Sequence, residues 1–292
     1  MSADRTGTVG RVGIVIAPHR PGAADLACRL HDELRARGCA CVVDEGAREA
    51  CPAALPFGSL AACADTDLMV VLGGDGTLLA AACEAGPRGT PLLGVDLGSF
   101  GFLAAEEPER LLQDLDRLLT GEFGLEHRVM LEVIVPGATP RWALNDVVVA
   151  RPHYGRITRL RALLDGDLIA TYPADGLIVA TATGATAFSL SAGGPIVDAR
   201  MAAMILTPIC PHTLYSRPLV VPAEVTVTLQ LVADGKHRPE AAVFVDGQEA
   251  GALAEGDEVV VRRAARDALL VQLGEPRFYD RLREKLKWGM ER

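Results

Sequence analysis

The residues Leu68-Met69-Val70-Val71-Leu72 are apolar on both faces, and Gly73-Gly74-Asp75-Gly76-Thr77 follows them directly. A strand that can bury both faces belongs inside a parallel sheet covered by helices. The glycine-rich turn then leads into the helical run Leu78 to Cys83, so the local order is strand, tight turn, helix. Flanking sequence repeats that order. Val12 to Ala17 is a β-branched run broken by Pro21-Gly22, after which Leu26, Ala27, Leu30 and Leu34 recur at helical spacing up to Gly38. Glycine there suits a helix C-terminal cap. Cys39 to Val43 and Pro91 to Val95 read as further strands, and Leu111, Leu112, Leu115, Leu118 and Leu119 as one more amphipathic helix. Strands alternating with helices predict an α/β domain built on a parallel sheet.

The texture changes near Gly124. From Arg128 to Leu273 the chain is mostly short Val/Ile/Leu runs separated by turn signals, among them Asp165-Gly166, Asp234-Gly235 and Asp246-Gly247. Val225 to Val232 alternates, Glu258 to Arg263 reads as another strand, and a single helix is expected after Thr186. Helical spacing returns through Phe278, Leu282 and Leu286, within Arg277 to Trp288. The expected organisation is an α/β domain over residues 1–125, with 274–292 returning to it as a helix, and a β-rich domain over 126–273.

Composition removes several classes of function. Of the 292 residues, 49% are hydrophobic, enough for a sizeable core. No apolar run reaches the roughly 20 residues of a membrane span, and Met1 to Arg11 does not resemble a signal peptide. The chain is therefore read as cytoplasmic and not membrane-bound. Its seven cysteines form no CxxC pair and mostly sit beside Ala, as small buried hydrophobes do. A net charge of −9, with no Lys/Arg cluster before the last fifteen residues, argues against a sequence-independent nucleic-acid binder.

A strand-to-helix glycine turn brings backbone N–H groups within reach of phosphate oxygens, helped by the positive end of the helix. Asp75 is the odd residue in such a loop. A carboxylate repels phosphate, so it needs a chemical task there, or else the segment is only a polar turn like the Asp-Gly pairs at 165, 175, 234 and 246. The loop by itself indicates phosphoryl transfer and leaves the acceptor open.

Loops of the GGDGT type occur in NAD kinases, and related ones in diacylglycerol and sphingosine kinases and in phosphofructokinases. Further blocks decide between these. Leu93-Gly94-Val95-Asp96-Leu97-Gly98-Ser99-Phe100-Gly101-Phe102-Leu103, Ala143-Leu144-Asn145-Asp146-Val147-Val148 and Asp175 to Pro195 appear in order. Thr207 to Leu214 with Arg217-Pro218, and then Val245-Asp246-Gly247-Gln248, complete the series. Together they resemble the NAD kinase family, of bacterial type, which uses ATP or polyphosphate, over roughly residues 12 to 250.

The resemblance implies NAD as substrate, ATP as phosphoryl donor, Mg²⁺ as the divalent metal with its ligands left open, and a homodimer or homotetramer. It places the nucleotides on Gly73, Gly74, Asp75, Gly76, Thr77, Asn145, Asp146, Arg156, Asp175, Thr183, Thr186, Ala187, Phe188, Ser189, Leu190, Ser191 and Gln248. An Asn can donate and accept at once, and an Asp accepts from a ribose diol, which suits Asn145 and Asp146. For Asp175 and Gln248 the competing reading is a hairpin turn, for Arg156 a solvated strand edge, and for His212 a structural histidine. In the expected mechanism Asp75 accepts or organises the proton of the adenosine 2′-hydroxyl, in line with the γ-phosphorus of ATP. The rival readings are a kinase of this fold acting on another adenosine-type nucleotide or nucleoside, and a non-catalytic dinucleotide sensor. Asp96, Pro173 and Ala80 depart from the family pattern by removing donors or positive charge. They imply weak nucleotide affinity unless Arg20, Arg156 or a partner subunit compensates.

Overall fold

The computed structural model describes residues 7–98, 101–104, 106–152, 157–233, 239–274 and 278–287. The chain divides into two units, residues 1–127 with 268–292, and residues 128–267.

The first unit is built on a seven-stranded sheet. Its strand order is Phe57–Gly58, Ala40–Asp44, Arg11–Ile16, Leu68–Leu72, Leu92–Val95, Ala268–Gln272, Gly124–Arg128. Pairing is parallel from the first of these through Ala268–Gln272. Leu68–Leu72 is buried along its whole length, as its two apolar faces require. The helix Ala23–Ala36 lays Leu26, Leu30 and Leu34 onto Ile14, Val43, Val70 and Leu72. Gly38 closes this helix with φ +73°, a left-handed conformation that glycine adopts without a Cβ clash.

Three expectations need correction. The strand Ala268–Gln272 pairs in this first sheet, and Val271 and Leu273 join its core, so the β-rich unit ends at 267 and not at 273. A short Val/Leu run looks the same in either kind of sheet, and only pairing decides. The predicted single helix around Leu115 is two short ones, Pro108–Gln113 and Leu115–Leu119, broken at Asp114, whose ψ is 10°. The helix after Thr186 is a single turn, Phe188–Ser191. The last helix, Phe278–Leu286, returns to the first unit as expected.

The second unit is a β-sandwich. One sheet runs Asp167–Ala174, Thr158–Leu164, Val227–Leu231, Glu258–Arg263, Leu131–Ile134, Arg141–Ala143. The other runs Leu219–Pro222, Ala203–Ile209, Gly176–Thr181, Asp146–Ala150, Ala241–Val245, Gln248–Leu253. Alternate residues of both sheets, among them Val133, Leu160, Val179, Leu206, Leu229 and Val243, share one core. Among the described residues, no helix is long and apolar enough to cross a membrane.

Asp165-Gly166 and Asp246-Gly247 are both two-residue hairpin loops with positive φ, at 49° and 89° and at 46° and 78° respectively. That is the twist-matched turn which Asp-Gly favours. Asp246 does more than turn the chain. Its carboxylate accepts from the backbone N–H groups of Leu144 at 2.7 Å, Asn145 at 2.9 Å and Asp146 at 3.0 Å. The hairpin tip therefore fixes the entry to strand Asp146–Ala150. Asp246→Ala should lower the unfolding free energy by about 2–3 kcal/mol, because three N–H groups lose a charged acceptor. Asp246→Asn, which keeps one oxygen and tolerates the turn, should lose less; urea unfolding measures both.

Candidate active site

The buried strand Leu68–Leu72 ends at Gly73, and Gly74 caps the helix Asp75–Arg88 from an extended conformation. Gly73 donates to Val95 O at 3.0 Å, while Thr77 and Leu78 donate to Gly74 O at 3.1 and 3.2 Å. The N–H groups of the intervening Asp75 and Gly76 start the helix and form the positive end of its dipole. Here the first unit opens a cleft of about 350 Å³ lined by His19, Arg20, Gly74, Asp75, Gly76, Thr77, Gly101 and Lys285. That volume lies at the low end of ligand-site sizes. Four of the five residues in the expected loop line the cleft; Gly73 lies behind it, packed against Thr77.

Asp75 is held by a second segment. Its Oδ2 accepts from Phe102 N–H at 2.8 Å, and its Oδ1 from Leu103 and Ala104 N–H at 3.0 and 3.2 Å. Gly101 makes this approach possible, since a Cβ there would stand 2.1 Å from Asp75 Oδ1. Each carboxylate oxygen has about two acceptor positions, so one remains on Oδ2 after the bonds made by the described residues. The carboxylate is thus oriented by the fold itself, independently of any ligand.

The second unit gathers the other expected residues. Asn145 and Asp146 begin strand Asp146–Ala150, and the backbone of Gly184 crosses Asn145 closely enough that a Cβ would meet its carbonyl oxygen at 2.1 Å. Small side chains at 182–187 allow this crossing. Thr183 is buried, and its hydroxyl accepts from Arg128 Nη1 at 3.3 Å. Thr186 donates to Thr183 O at 3.3 Å. Ala187, Leu190 and Ser191 lie in or beside the short helical turn, and Phe188 is 45% exposed. Ser189 is fully buried, and its hydroxyl is hydrogen-bonded to that of Thr207 at 2.8 Å, so its side chain serves the core.

Asp175 is not a hairpin turn, because Asp167–Ala174 and Gly176–Thr181 lie in different sheets. It bonds Arg151 Nη2 at 2.8 Å, with His212 Nε2 at 3.9 Å from its other oxygen. Arg151 was missed by the sequence reading. The register that sets Ala150 opposite Gly176 brings it to Asp175, and nothing local in sequence shows that register. Gln248 is exposed at the start of its strand, just after the hairpin tip. Arg156 lies outside the described residues. Of the three family departures, Ala80 is half-buried in the helix after the loop, Asp96 N–H donates to Glu106 O, and Pro173 sits in strand Asp167–Ala174. Burial, and then the charge of Asp246, push the Asp146 carboxyl from 3.8 up to about 7.

Residues 12–123 match the ATP-NAD kinase N-terminal domain, and residues 144–273 the ATP-NAD kinase C-terminal domain. The class is therefore that of a phosphotransferase. Over 294 residues the chain is 40% identical to an NAD kinase of Heliobacterium modesticaldum, a match covering 95% of this chain and 99% of that one. An NAD kinase of Moorella thermoacetica is 48% identical over 227 residues, 77% of this chain and 72% of its own. The chain belongs to the NAD kinase family. Among solved structures, yeast NADH kinase complexed with NADH superposes with a TM-score of 0.86 at 26% identity, covering 98% of this chain and 90% of that one. An Archaeoglobus fulgidus NAD kinase in complex with ATP shares the fold, with a TM-score of 0.74 at 22% identity, over 95% of this chain and 98% of its own.

Two measurements probe these sites. A Cβ at Gly76 would meet nothing within 4 Å, and its φ is not positive. The protein alone has no need of glycine there, whereas a ligand approaching the backbone does. Gly76→Ala should raise thermal stability by up to about 1 kcal/mol through helix propensity. The same variant should weaken nucleotide binding severalfold, and unchanged affinity would show the position to be unoccupied by ligand.

For Asp146 the sign follows from its raised value. Below about pH 4 folded and unfolded chains both keep the proton; as pH rises the unfolded chain ionises first, so stability is lost until about pH 7. Asp146→Asn should match wild type near pH 4 and exceed it at pH 8 by on the order of 4 kcal/mol. A gap that stays constant in urea titrations across that range would remove this account.

Proposed function

We propose that the protein transfers the γ-phosphoryl group of ATP to the 2′-hydroxyl of the adenosine ribose of NAD, forming NADP. The observation that carries this reading is the carboxylate of Asp75, fixed on both oxygens by backbone N–H groups yet left with one acceptor position at a cleft otherwise lined by basic and backbone groups. A hydroxyl that must attack phosphorus needs one such acceptor, and the rest of the cleft must neutralise phosphate. Pure nucleotide binding would gain nothing from a carboxylate at that point.

Residues of the second unit divide the recognition of the dinucleotide. Asn145 presents an amide able to donate and accept. Asp146 accepts from a ribose diol, and Asp175, oriented by Arg151, takes a further donor. Thr183, Thr186, Ala187, Phe188, Leu190 and Ser191 supply hydroxyls and close backbone, and Gln248 an amide edge. Two hydroxyls donating to Asp146 favour its ionised form, so NAD binding releases a proton near pH 7.

Among the described residues no cluster of three His, Cys, Asp or Glu side chains could hold a metal ion alone. An Mg²⁺ brought in on the nucleotide phosphates would supply charge neutralisation of the leaving phosphate. Arg20 and Lys285, both lining the cleft, offset the positive charge that Ala80 lacks. We also read the enzyme as cytoplasmic and as a homodimer or homotetramer. In support of assembly, Leu214 and Tyr215 of the second unit are 86% and 91% exposed within one loop, an arrangement that self-association would cover.

Transfer of labelled γ-phosphate from ATP to NAD is the direct test, with adenosine and NADH as competing acceptors. Asp75→Asn should lower kcat by about a thousandfold, as removal of a general base does, with the affinity for NAD retained. The amide of Asn also faces one of the three N–H donors. Hydrogen exchange at 102–104 therefore separates a displaced loop from lost chemistry. A variant retaining a tenth of wild-type turnover would take Asp75 out of the chemical step.

A further inference from the structure

The helix Phe278–Leu286 lies far in sequence from the glycine-rich loop, yet it lines the same cleft. Leu282 is its buried anchor, at 5% exposure. Arg281 Nη1 donates to the carbonyl oxygen of Phe102 at 2.9 Å. The N–H of that residue holds Asp75 Oδ2, so Phe102 is pinned from both sides, by a carboxylate and by a guanidinium. One helical turn on, Lys285 Nζ stands 5.3 Å from the centroid of the Phe102 ring. The i, i+4 spacing sets the two cations on one face of the helix. Lys285 also lines the cleft, together with Arg20, His19 and the loop residues Gly74 to Thr77. An ammonium over an aromatic face is held there by the ring's negative potential, which fixes the position of its charge at the cleft.

We infer that Lys285 is a phosphate-binding residue, taking an oxygen of a phosphoanhydride chain, and that Arg281 is the positioning residue that sets Phe102 beneath it. The inference rests on the phosphotransferase reading of the cleft and adds to it a cation from the far end of the chain. It also explains how a cleft holding Asp75, in a protein of net charge −9, attracts an anion.

Calorimetric titration of the full chain with ATP and with inorganic tripolyphosphate tests it, on wild type and on Lys285→Met, Lys285→Arg and Lys287→Met. Lys287 is an exposed cation close by on the same segment and outside the cleft lining. Lys285→Met should weaken both ligands about tenfold, the loss of one charge-assisted contact. Lys285→Arg should restore most of that, and Lys287→Met should stay within twofold of wild type. Arg281→Met should lower kcat more than it raises the KM for NAD, with Arg281→Lys recovering part of the loss. Thermal melts confirm that each variant is folded. Binding of tripolyphosphate that survives Lys285→Met, or that falls equally with Lys287→Met, overturns the assignment. If wild type fails to phosphorylate NAD while tripolyphosphate binding still depends on Lys285, the NAD reading fails and this one stands.

Discussion

Among the described residues, a carboxylate gathered by three consecutive backbone N–H groups occurs once in each unit, and each site is organised around it. Asp75 collects residues 102–104, lying 27 to 29 positions away, and Asp246 collects residues 144–146, lying 100 to 102 positions away. In both places the acid belongs to an Asp-Gly pair. Backbone donors cannot be swapped by substitution, so the whole demand falls on the acid and on whatever lets the segments approach. Gly101 is the consequence in the first unit, where a Cβ would collide with Asp75. In the second unit the fixed backbone at Asn145 also accepts from Thr181 N–H at 2.8 Å and lies against Gly184. Charge-assisted bonds of this kind are among the stronger single contacts a fold can make.

The same interaction gives the two acids different chemistry. Asp246 is spent on structure, and its charge raises the neighbouring Asp146, which burial has already made reluctant to ionise. Asp75 keeps an acceptor position beside a cleft. Net charge says little about either. The lining of the cleft carries the cations Arg20 and Lys285 despite the negative surplus of the chain.

Elements with a strong local pattern were legible before the fold was known. Leu68–Leu72 is wholly buried, as its two apolar faces require, and the glycine turn after it starts a helix. What stayed hidden depends on pairing or on distance. Ala268–Gln272 looks like any sandwich strand until its partner is seen to be Leu92–Val95. Arg151 reaches Asp175 only through an antiparallel register, and Ser189 points inward because Thr207 lies across from it. Lys285 could not be seen at all, since nothing near it in sequence mentions phosphate. Helical spacing also failed to show the break at Asp114, because leucines on either side keep the same period.

The place of Ala268–Gln272 in the first sheet bears on the order in which the protein can be completed. The strand lies between Leu92–Val95 and Gly124–Arg128, so it fills an interior position and not an edge. Until the ribosome has made it, the earlier strands must wait with an unfilled slot and exposed backbone edges. The sandwich of residues 128–267, by contrast, is contiguous and can close as soon as it emerges. The part translated first is thus the part finished last. A nascent chain stalled within the sandwich would carry its unpaired parallel edge as a liability, open to chaperones or to another copy.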